Sequence, residues 1–336
     1  MKKINMSDIA EKLNISKVSV SKALNDKEGV SEDLRHRVKE TARSMGYRLN
    51  NSARSLKTDK QFNVGILIAE KYTLDNESYY FTVCGEMIRR LDELGYSGIM
   101  EIVTYHNEKK GIYPRLYNEN KVDGIIVLGQ MCPDYLRQID KVKVPIIFFD
   151  FYVNEFKTDC VVTDNFFSAY TLTNHLVKQY HRDIAYVGSI EATSSIQDRF
   201  LGYYKSLIEN QIPLRSEYLI PDRDELGQFI DLQLPSPLPS AFVCNCDRVA
   251  HMLINTLKKQ GLKVPEDCSV VGFDNSLFSI IGEPRVTTID NNIPSMVETA
   301  VKMITKKIVN PQRVYGRILT QGSLVIRDSA QERPVH

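Results

Sequence analysis

Eight strand-length apolar runs between residues 62 and 274 constrain the fold more than any other feature of the sequence. In chain order they are FNVGILIA, SGIMEIV, VDGIIVLG, VPIIFFD, DCVVTD, DIAYVGS, SAFVCN and CSVVGFD. Continuous apolarity, without alternation, indicates burial on both faces and is typical of parallel strands covered by helices. Helical patterns at residues 84–94, 169–179 and 248–260 separate some of these runs. The sequence therefore predicts a doubly wound α/β core, in which ligands bind at the carboxyl ends of the strands.

The segment before this core, residues 7–25, has the pattern of two short helices joined by a tight turn. Its sequence is SDIAEKLNISKVSVSKALN. Ser7 is the candidate cap of the first helix, and Asn14 is a candidate stop because asparagine tolerates the left-handed conformation. Ser16 is the candidate cap of a second helix that would bury Val20 and Ala23. The pattern fits a helix–turn–helix, and on this segment alone it fits a solvated helical hairpin equally well.

The outer face of the second helix carries hydrogen-bonding groups, positive charges and one apolar side chain. Such a mixture suits base edges and phosphates, because it can donate, accept and pack on a thymine methyl. The candidate DNA-contacting residues of this segment are Ser16, Lys17, Val18, Ser19, Ser21, Lys22 and Asn25.

A third helix and the distribution of charge favour DNA binding over the hairpin alternative. Ser31 is predicted to cap the third helix, and Gly46 to close it. Residues 1–60 contain 14 Lys and Arg against 8 Asp and Glu, whereas the rest of the chain contains 29 against 34. A basic head on a mildly acidic body attracts phosphates. We therefore expect a small all-α DNA-binding headpiece over residues 1–48.

Residues 4–58 resemble the headpiece of the LacI/GalR family of transcription regulators. The resemblance rests on DIA at 8–10, IS at 15–16, SVSK at 19–22, LN at 24–25, VS at 30–31, GY at 46–47 and ARSL at 53–56. The sequence departs from the family pattern at Asn14, where Gly is usual, at Lys22, where Arg is usual, and at Leu49, where Pro is usual. Val18 is an apolar readout residue.

Residues 49–60 would join the headpiece to the core. Their polar composition alone favours a flexible linker. The resemblance implies instead a hinge helix that is ordered on DNA, with Ala53 and Leu56 facing the minor groove and Leu56 wedged between base steps. Two such helices would meet at the centre of a palindromic operator, so the resemblance also implies a homodimer.

The remainder of the chain resembles the two-lobed, periplasmic-binding-protein-like core of the same family, as far as GSLVIRDS at residues 322–329. By this resemblance, residues 61–330 form the effector-binding and dimerisation core. Lobe 1 would comprise residues 62–161 plus 291–322. Lobe 2 would comprise residues 162–290 plus 323–330.

Polar residues at strand ends are the effector candidates. Asp150 follows IIFF, Asp274 follows VVGF, and Arg199 precedes a helical stretch. Carboxylates can accept hydrogen bonds from sugar hydroxyls, and an arginine can donate two hydrogen bonds to paired hydroxyls. The alternative is that these residues form an Asp–Arg ion pair that holds the lobes together. The resemblance adds four further candidates. These are Tyr80, for which a plain core position is the alternative, Asn245, Cys246, which stands where the family usually has Asn, and Asn291.

These features predict a DNA-binding repressor of carbohydrate-utilisation genes that is released by a sugar bound between the lobes. A co-repressor-dependent regulator, with a purine or a phosphoprotein partner, is one alternative, and a sugar-binding protein without a transcriptional role is another.

We expect no enzyme, because no G-x-G-x-x-G, P-loop or G-x-S-x-G motif occurs. The start MKKINMSDIA lacks an apolar signal region, no apolar run is long enough to span a membrane, and the six cysteines are scattered. The sequence therefore predicts a cytoplasmic protein without metal, cofactor or membrane contact.

Overall fold

The computed structural model describes residues 4–24, 27–47, 60–73 and 79–333. The chain divides into two compact units, residues 1–61 and residues 62–336, and each is described by itself. Within the described ranges, no helix combines the length and the apolarity that crossing a bilayer would require.

The first unit is a three-helix headpiece consisting of α1 (Met6–Leu13), α2 (Lys17–Leu24) and α3 (Glu32–Ser44). Its core is made by Ile9, Ala10, Val20, Ala23, Val38 and Ala42. Asn14 ends α1 in the left-handed conformation, with φ 52°, as the sequence predicts. The prediction for Ser7 is wrong: α1 begins one residue before it, and the Asn5 side chain accepts hydrogen bonds from the Ser7 and Asp8 amides. The Asp8 carboxylate accepts in return from the Asn5 amide at 2.7 Å, which completes a capping box.

The second unit contains a six-stranded parallel sheet with strand order β11-β5-β4-β3-β1-β2. Its strands are β1 (Asn63–Ala69), β2 (Ser97–Val103), β3 (Gly124–Leu128), β4 (Ile146–Phe149), β5 (Asp159–Thr163) and β11 (Arg317–Thr320). Helices α4 (Tyr79–Glu93) and α11 (Ile293–Val309) pack on one face. The other face is covered mainly by α7 (Pro133–Ile139), with the short helices α5 (Tyr105–Lys110) and α6 (Arg115–Asn118) nearby. We call this sheet and its helices lobe 1.

A second, four-stranded parallel sheet has strand order β7-β6-β8-β9. Its strands are β6 (Ile184–Val187), β7 (Leu219–Ile220), β8 (Ala241–Cys244) and β9 (Ser269–Val271). Helices α8 (Asn165–Lys178) and α9 (Ser194–Glu209) cover one face, and α10 (Asp247–Lys259) covers the other. Strands β10 (Thr288–Asp290) and β12 (Ser323–Val325) form an antiparallel ribbon beside it. We call the four-stranded sheet and its helices lobe 2.

The structure confirms the predicted α/β core with two parallel sheets. Each of the eight apolar runs contains one strand, and the three helical patterns correspond to α4, α8 and α10. The expectation of burial on both faces is wrong for SGIMEIV, because β2 lies at the edge of its sheet. Met100 and Ile102 of β2 are 39% and 40% exposed. The exact division of the chain between the lobes stays a prediction.

Candidate DNA-contacting face and effector cavity

Of the predicted DNA-contacting residues at the start of α2, one caps the helix and others are exposed to solvent. The Ser16 hydroxyl accepts the Ser19 amide at 3.0 Å and pairs with the Ser19 hydroxyl at 2.9 Å, so Ser16 caps the helix as predicted. Lys17 is exposed, and the Val18 side chain is 65% exposed. An exposed valine at the start of such a helix can pack on a thymine methyl.

Lys22 and Ser21 are half-buried rather than fully exposed. The Lys22 side chain lies over the loop that follows α2, with Nζ only 2.7 Å from the position that a Cβ on Gly29 would take. Gly29 has φ 91°, so this loop needs glycine for its backbone as well as for the space beside Lys22. The three other predicted DNA contacts, Asn25, Ala53 and Leu56, lie outside the described residues, as does the predicted hinge helix apart from Lys60.

In the core, a cavity of about 170 Å³ lies where the carboxyl ends of strands from both lobes meet. Lobe 1 contributes Lys71, Tyr72, Tyr79, Tyr80 and Asp150 to its lining. Lobe 2 contributes Thr193, Ser195, Ile196, Arg199, Arg223, Gly227, Phe229, Asn245, Cys246, Arg248, Asp274, Ser276 and Phe278. Six of the seven predicted effector residues line the cavity, and Asn291 is the exception.

Arg199, on α9, is fixed by contacts on several sides. Nε donates to Asn165 Oδ1 at 2.8 Å, and Nη1 donates to the Asn245 carbonyl at 2.6 Å. Nη2 lies 3.2 Å from Asp274 Oδ1, and the guanidinium stacks 3.8 Å from the Phe273 ring centroid. Burial disfavours the cation, but attraction to nearby carboxylates outweighs it and raises the pKa of Arg199. The ion-pair alternative is therefore partly correct, yet both partners belong to lobe 2 and the pair does not join the lobes.

Asp150 presents a carboxylate that is only half satisfied. It follows β4 with φ 68°, and its Oδ2 accepts the Tyr80 hydroxyl at 2.8 Å. Its Oδ1 is buried and has no hydrogen-bond partner among the residues that the structure describes. Burial raises the pKa of Asp150 to about 6, even though Arg199 acts in the opposite direction. Its backbone carbonyl accepts the Ser195 hydroxyl at 2.6 Å, which links the two lobes beside the cavity.

Asn291 supports the cavity from behind instead of lining it. It is fully buried, and its Nδ2 donates to Asp274 Oδ1 at 3.0 Å. Asp274 has φ 102°, a conformation that costs energy for a residue other than glycine and clusters at functional sites. Burial raises the pKa of Asp274, against the attraction of Arg199. Asn291 and Arg199 together hold this carboxylate in place.

Asn245 and Cys246 line the cavity at the end of β8, as predicted. The Asn245 amide donates to the Val187 carbonyl at 3.0 Å and to Asp222 Oδ2 at 2.8 Å. Asp222 is fully buried and holds Arg223, whose Nη2 donates to Asp222 Oδ2 at 2.7 Å. The cavity thus contains a basic region that the sequence analysis did not identify.

The residues missed by the sequence analysis include three cations and two phenylalanines. Lys71 and Arg248 follow the carboxyl ends of β1 and β8, so the strand-end rule was the signal that could have found them. Arg223 and Phe229 belong to a small hairpin after the short strand β7, and no pattern in the sequence marks that strand. Phe278 lies in a 3₁₀ turn after β9.

Comparison with known proteins agrees with both units. Residues 5–50 match the family of bacterial regulatory proteins described as the lacI family, and residues 173–330 match a periplasmic binding protein-like domain. The probable HTH-type transcriptional repressor ExuR of Bacillus subtilis (strain 168) is 25% identical over 338 residues, which cover 98% of each chain. A lac repressor dimer bound to operator and the anti-inducer ONPF superposes with TM-score 0.73 at 22% identity, covering 98% of this chain and 100% of that one. A complex of the transcriptional regulator CelR with cellobiose superposes with TM-score 0.71 at 20% identity, covering 97% of this chain and 100% of that one.

A helix–turn–helix headpiece followed by a two-lobed α/β core defines the class of DNA-binding transcriptional regulators, and not a class of enzymes. Both the headpiece and the core match the domains of one such group, and the relatives span nearly the whole chain. The chain therefore carries a lacI-family regulatory domain and a periplasmic binding protein-like domain, and its relatives are named as HTH-type transcriptional regulators.

Proposed function

We propose that this regulator is a cytoplasmic repressor of carbohydrate-utilisation genes, released from a palindromic operator when a sugar binds between its lobes. The proposal is supported by similar proteins, which include a ribose operon repressor of Haemophilus influenzae and the transcriptional regulator CelR in complex with cellobiose. The cavity in the core provides the physical reason to extend that behaviour to this chain.

The observation that carries the proposal is Oδ1 of Asp150, which lines the interlobe cavity and has no hydrogen-bond partner among the described residues. A buried carboxylate oxygen without a partner is costly, and a ligand hydroxyl that donates to it removes the cost. Asp274 and Arg199 face the same cavity, and Tyr72 and Tyr80 offer aromatic surface. Vicinal hydroxyls and an apolar ring face, which are the chemical features of a sugar, match this lining.

Because the lining comes from both lobes, a ligand there makes different contacts when the lobes close or open. Only such a difference in contacts can shift the equilibrium between two states of the protein and so change operator affinity. The same coupling can take either sign. The repressor proposal requires that sugar binding favour the state with lower operator affinity.

We further propose that the regulator is a homodimer that associates through lobe 1. The edge strand β2 exposes Met100 and Ile102, and the adjacent helix α4 and its end expose Ile88 and Leu94, which are 39% and 52% exposed. An apolar patch on a sheet edge invites pairing with a second copy. Sedimentation should show a dimer at micromolar concentration, and Ile102→Glu should shift it towards monomer. A monomeric wild-type protein with full operator affinity would refute this assembly.

The test of the sugar proposal uses the full chain, a labelled operator duplex and a panel of mono- and disaccharides. At least one sugar should raise the melting temperature and weaken operator binding of the wild type. Asp150→Asn retains an acceptor for the Tyr80 hydroxyl but removes the carboxylate. It should bind operator normally and lose the response to that sugar. An unchanged response in Asp150→Asn would place the effector elsewhere.

A purine co-repressor is the second candidate, favoured by the rings of Tyr72, Phe229 and Phe278 in the lining, because planar bases stack on aromatic side chains. Relatives named PurR are 28% identical to this chain. The operator assay separates the two candidates by sign, since a co-repressor strengthens operator binding and an inducer weakens it.

A further inference from the structure

We infer that the effector carries an anionic group, a carboxylate or a phosphate, which binds between Lys71 of lobe 1 and the pair Arg223 and Arg248 of lobe 2. This inference rests on the proposed function, in that it takes the interlobe cavity as the effector site. None of these three cations was among the sugar-binding candidates, and each lines the cavity.

Phe229 organises the two arginines. Cζ of Arg223 lies 4.8 Å from the Phe229 ring centroid, and Cζ of Arg248 lies 4.3 Å from it. Attraction between a guanidinium and a ring face holds both side chains beside the same ring. Both arginines line the cavity, and guanidinium N–H groups are donors that recognise carboxylates and phosphates.

The Arg223 guanidinium is held by Asp222 through two of its nitrogens, and its third nitrogen can donate to a ligand. Its Nε and Nη2 donate to Asp222, with the shortest contact 2.7 Å. Its Nη1 donates to no acceptor in the part of the chain that the structure describes. The anchoring carboxylate therefore fixes the position of the guanidinium while a donor remains for a ligand.

The hairpin that carries Arg223 reaches across to lobe 1. An antiparallel bridge joins Arg223 to Phe229, and Gly227 forms the turn with φ 79°. A Cβ on Gly227 would lie 3.8 Å from Cδ of Lys71. Lys71 thus faces the hairpin at the same end of the cavity, so an anion there would contact both lobes.

Lys71 brings a further positive charge to the end of the cavity that contains Arg223 and Arg248. Lys71 forms no ion pair with any described residue, and burial lowers its pKa. Attraction to Glu108 opposes this lowering of the Lys71 pKa, and repulsion from Arg223 adds a smaller lowering. At the other end, Asp150 and Asp274 already accompany Arg199. An anionic group at the basic end would pair with Lys71 and Arg223, and by binding both lobes it would favour their closure.

The test compares matched neutral and acidic sugars on the full-length protein by calorimetry. The arms are glucose, glucuronate and glucose 6-phosphate, with galactose and galacturonate as a second set. We expect an acidic member to bind at least about tenfold more tightly than its neutral counterpart, because a desolvated charge pair dominates the difference. The uronate and phosphate arms identify which anion the site accepts. Neutral sugars that bind as tightly as every acidic counterpart would overturn the inference.

Two separate variants locate the anion, so that the test still works if one of them fails to fold. Lys71→Gln and Arg248→Gln should each weaken binding of the acidic sugar about tenfold, and weaken any binding of the neutral sugar by a much smaller factor. Arg285→Gln is the matched control, since Arg285 pairs with Asp328 on the exposed surface, and it should change neither. Undiminished binding of the acidic sugar in a folded Lys71→Gln or Arg248→Gln protein would contradict the assignment.

Failure of this inference and failure of the proposed function give different results. In one outcome, a neutral sugar releases the operator and binds as tightly as its acidic counterpart. This result supports the proposed repressor function and contradicts the anion site. An acidic sugar that needs Lys71 but leaves operator affinity unchanged retains the anion site and overturns the repressor function.

Discussion

The headpiece and the effector cavity differ in whether their functional side chains also stabilise the fold. In the headpiece, Ile9, Val20 and Val38 form the core, whereas the DNA-contacting candidates Lys17 and Val18 are exposed. In the cavity, the candidates Arg199 and Asp274 are themselves held by the packing and hydrogen bonds of lobe 2. Function and stability should therefore be separable by mutation in the headpiece and coupled in the cavity.

The largest expected effect tests this coupling in the cavity. Arg199→Ala leaves Asp274 without its cation and leaves the Asn165 and Asn245 acceptors unpaired. We expect the free energy of unfolding of the core to fall by about 3–5 kcal/mol, because a buried charge loses its partner. Denaturant unfolding of the ligand-free protein measures this loss.

Arg285→Ala is the matched control for that measurement. Its ion pair with Asp328 is exposed, with side chains 59% and 52% accessible. Removing it should lower the free energy of unfolding far less than Arg199→Ala does, because solvent screens an exposed ion pair. Similar losses for Arg199→Ala and Arg285→Ala would show that the cavity does not contribute to stability in the way described.

The next effect concerns separability in the headpiece. Lys22→Ala should reduce the preference for the cognate operator over a scrambled duplex by about 1–3 kcal/mol, because a donor to guanine is lost. Thermal unfolding should change little, since Lys22 is absent from the headpiece core. Lys27→Ala, on the exposed loop after α2, should weaken binding to both duplexes equally. Fluorescence anisotropy with the two duplexes gives both numbers, and an equal loss for Lys22→Ala would exclude base readout.

A third effect, of a size similar to that of Lys22→Ala, is a pH dependence of stability that belongs to lobe 2. Burial raises the pKa of Asp247 to about 8, and its carboxylate is bonded to the Thr288 hydroxyl at 2.6 Å and the Ser276 amide at 2.7 Å. The folded protein therefore keeps a proton that the unfolded chain releases near pH 4, so this group's contribution to stability falls as pH rises towards 8. Between pH 6 and 8 the loss should be about 2 kcal/mol, at about 1.4 kcal/mol per pH unit in the linear range.

Asp247→Asn isolates that contribution, because an amide can donate to Thr288 and does not ionise. Unfolding measured at pH 6 and pH 8 should show a smaller decline in the variant than in the wild type. The histidines act equally in both proteins and cancel in the difference. Parallel pH profiles would show that Asp247 is already ionised in the folded state.

The fold was largely predictable because burial on both faces leaves a continuous apolar run in a strand. Strands β7, β10 and β11 were not identified, since they contain only two to four residues and several are partly exposed. Their positions depend on pairing with distant strands, such as Arg317–Thr320 along β5, which local periodicity cannot reveal.

The cavity was predictable where acidic and basic residues end recognisable strands, as for Asp150 and Asp274. Arg223 could not be found this way because its position depends on a hairpin that no apolar pattern marks. Asn291 was identified, yet its contact with Asp274 needs the three-dimensional arrangement of two separate strand ends. Chemistry at strand ends was therefore visible in the sequence, and the contacts between those ends were not.

The central claim is that ligand binding in the interlobe cavity is coupled to operator binding by the headpiece. The most direct test takes the sugar that most raises the melting temperature and measures its affinity for the full-length protein, free and saturated with operator. Linkage requires the factor by which operator weakens sugar binding to equal the factor by which sugar weakens operator binding. We predict equal factors greater than about five, the lower end of typical allosteric coupling. The same sugar affinity with and without operator would contradict the account.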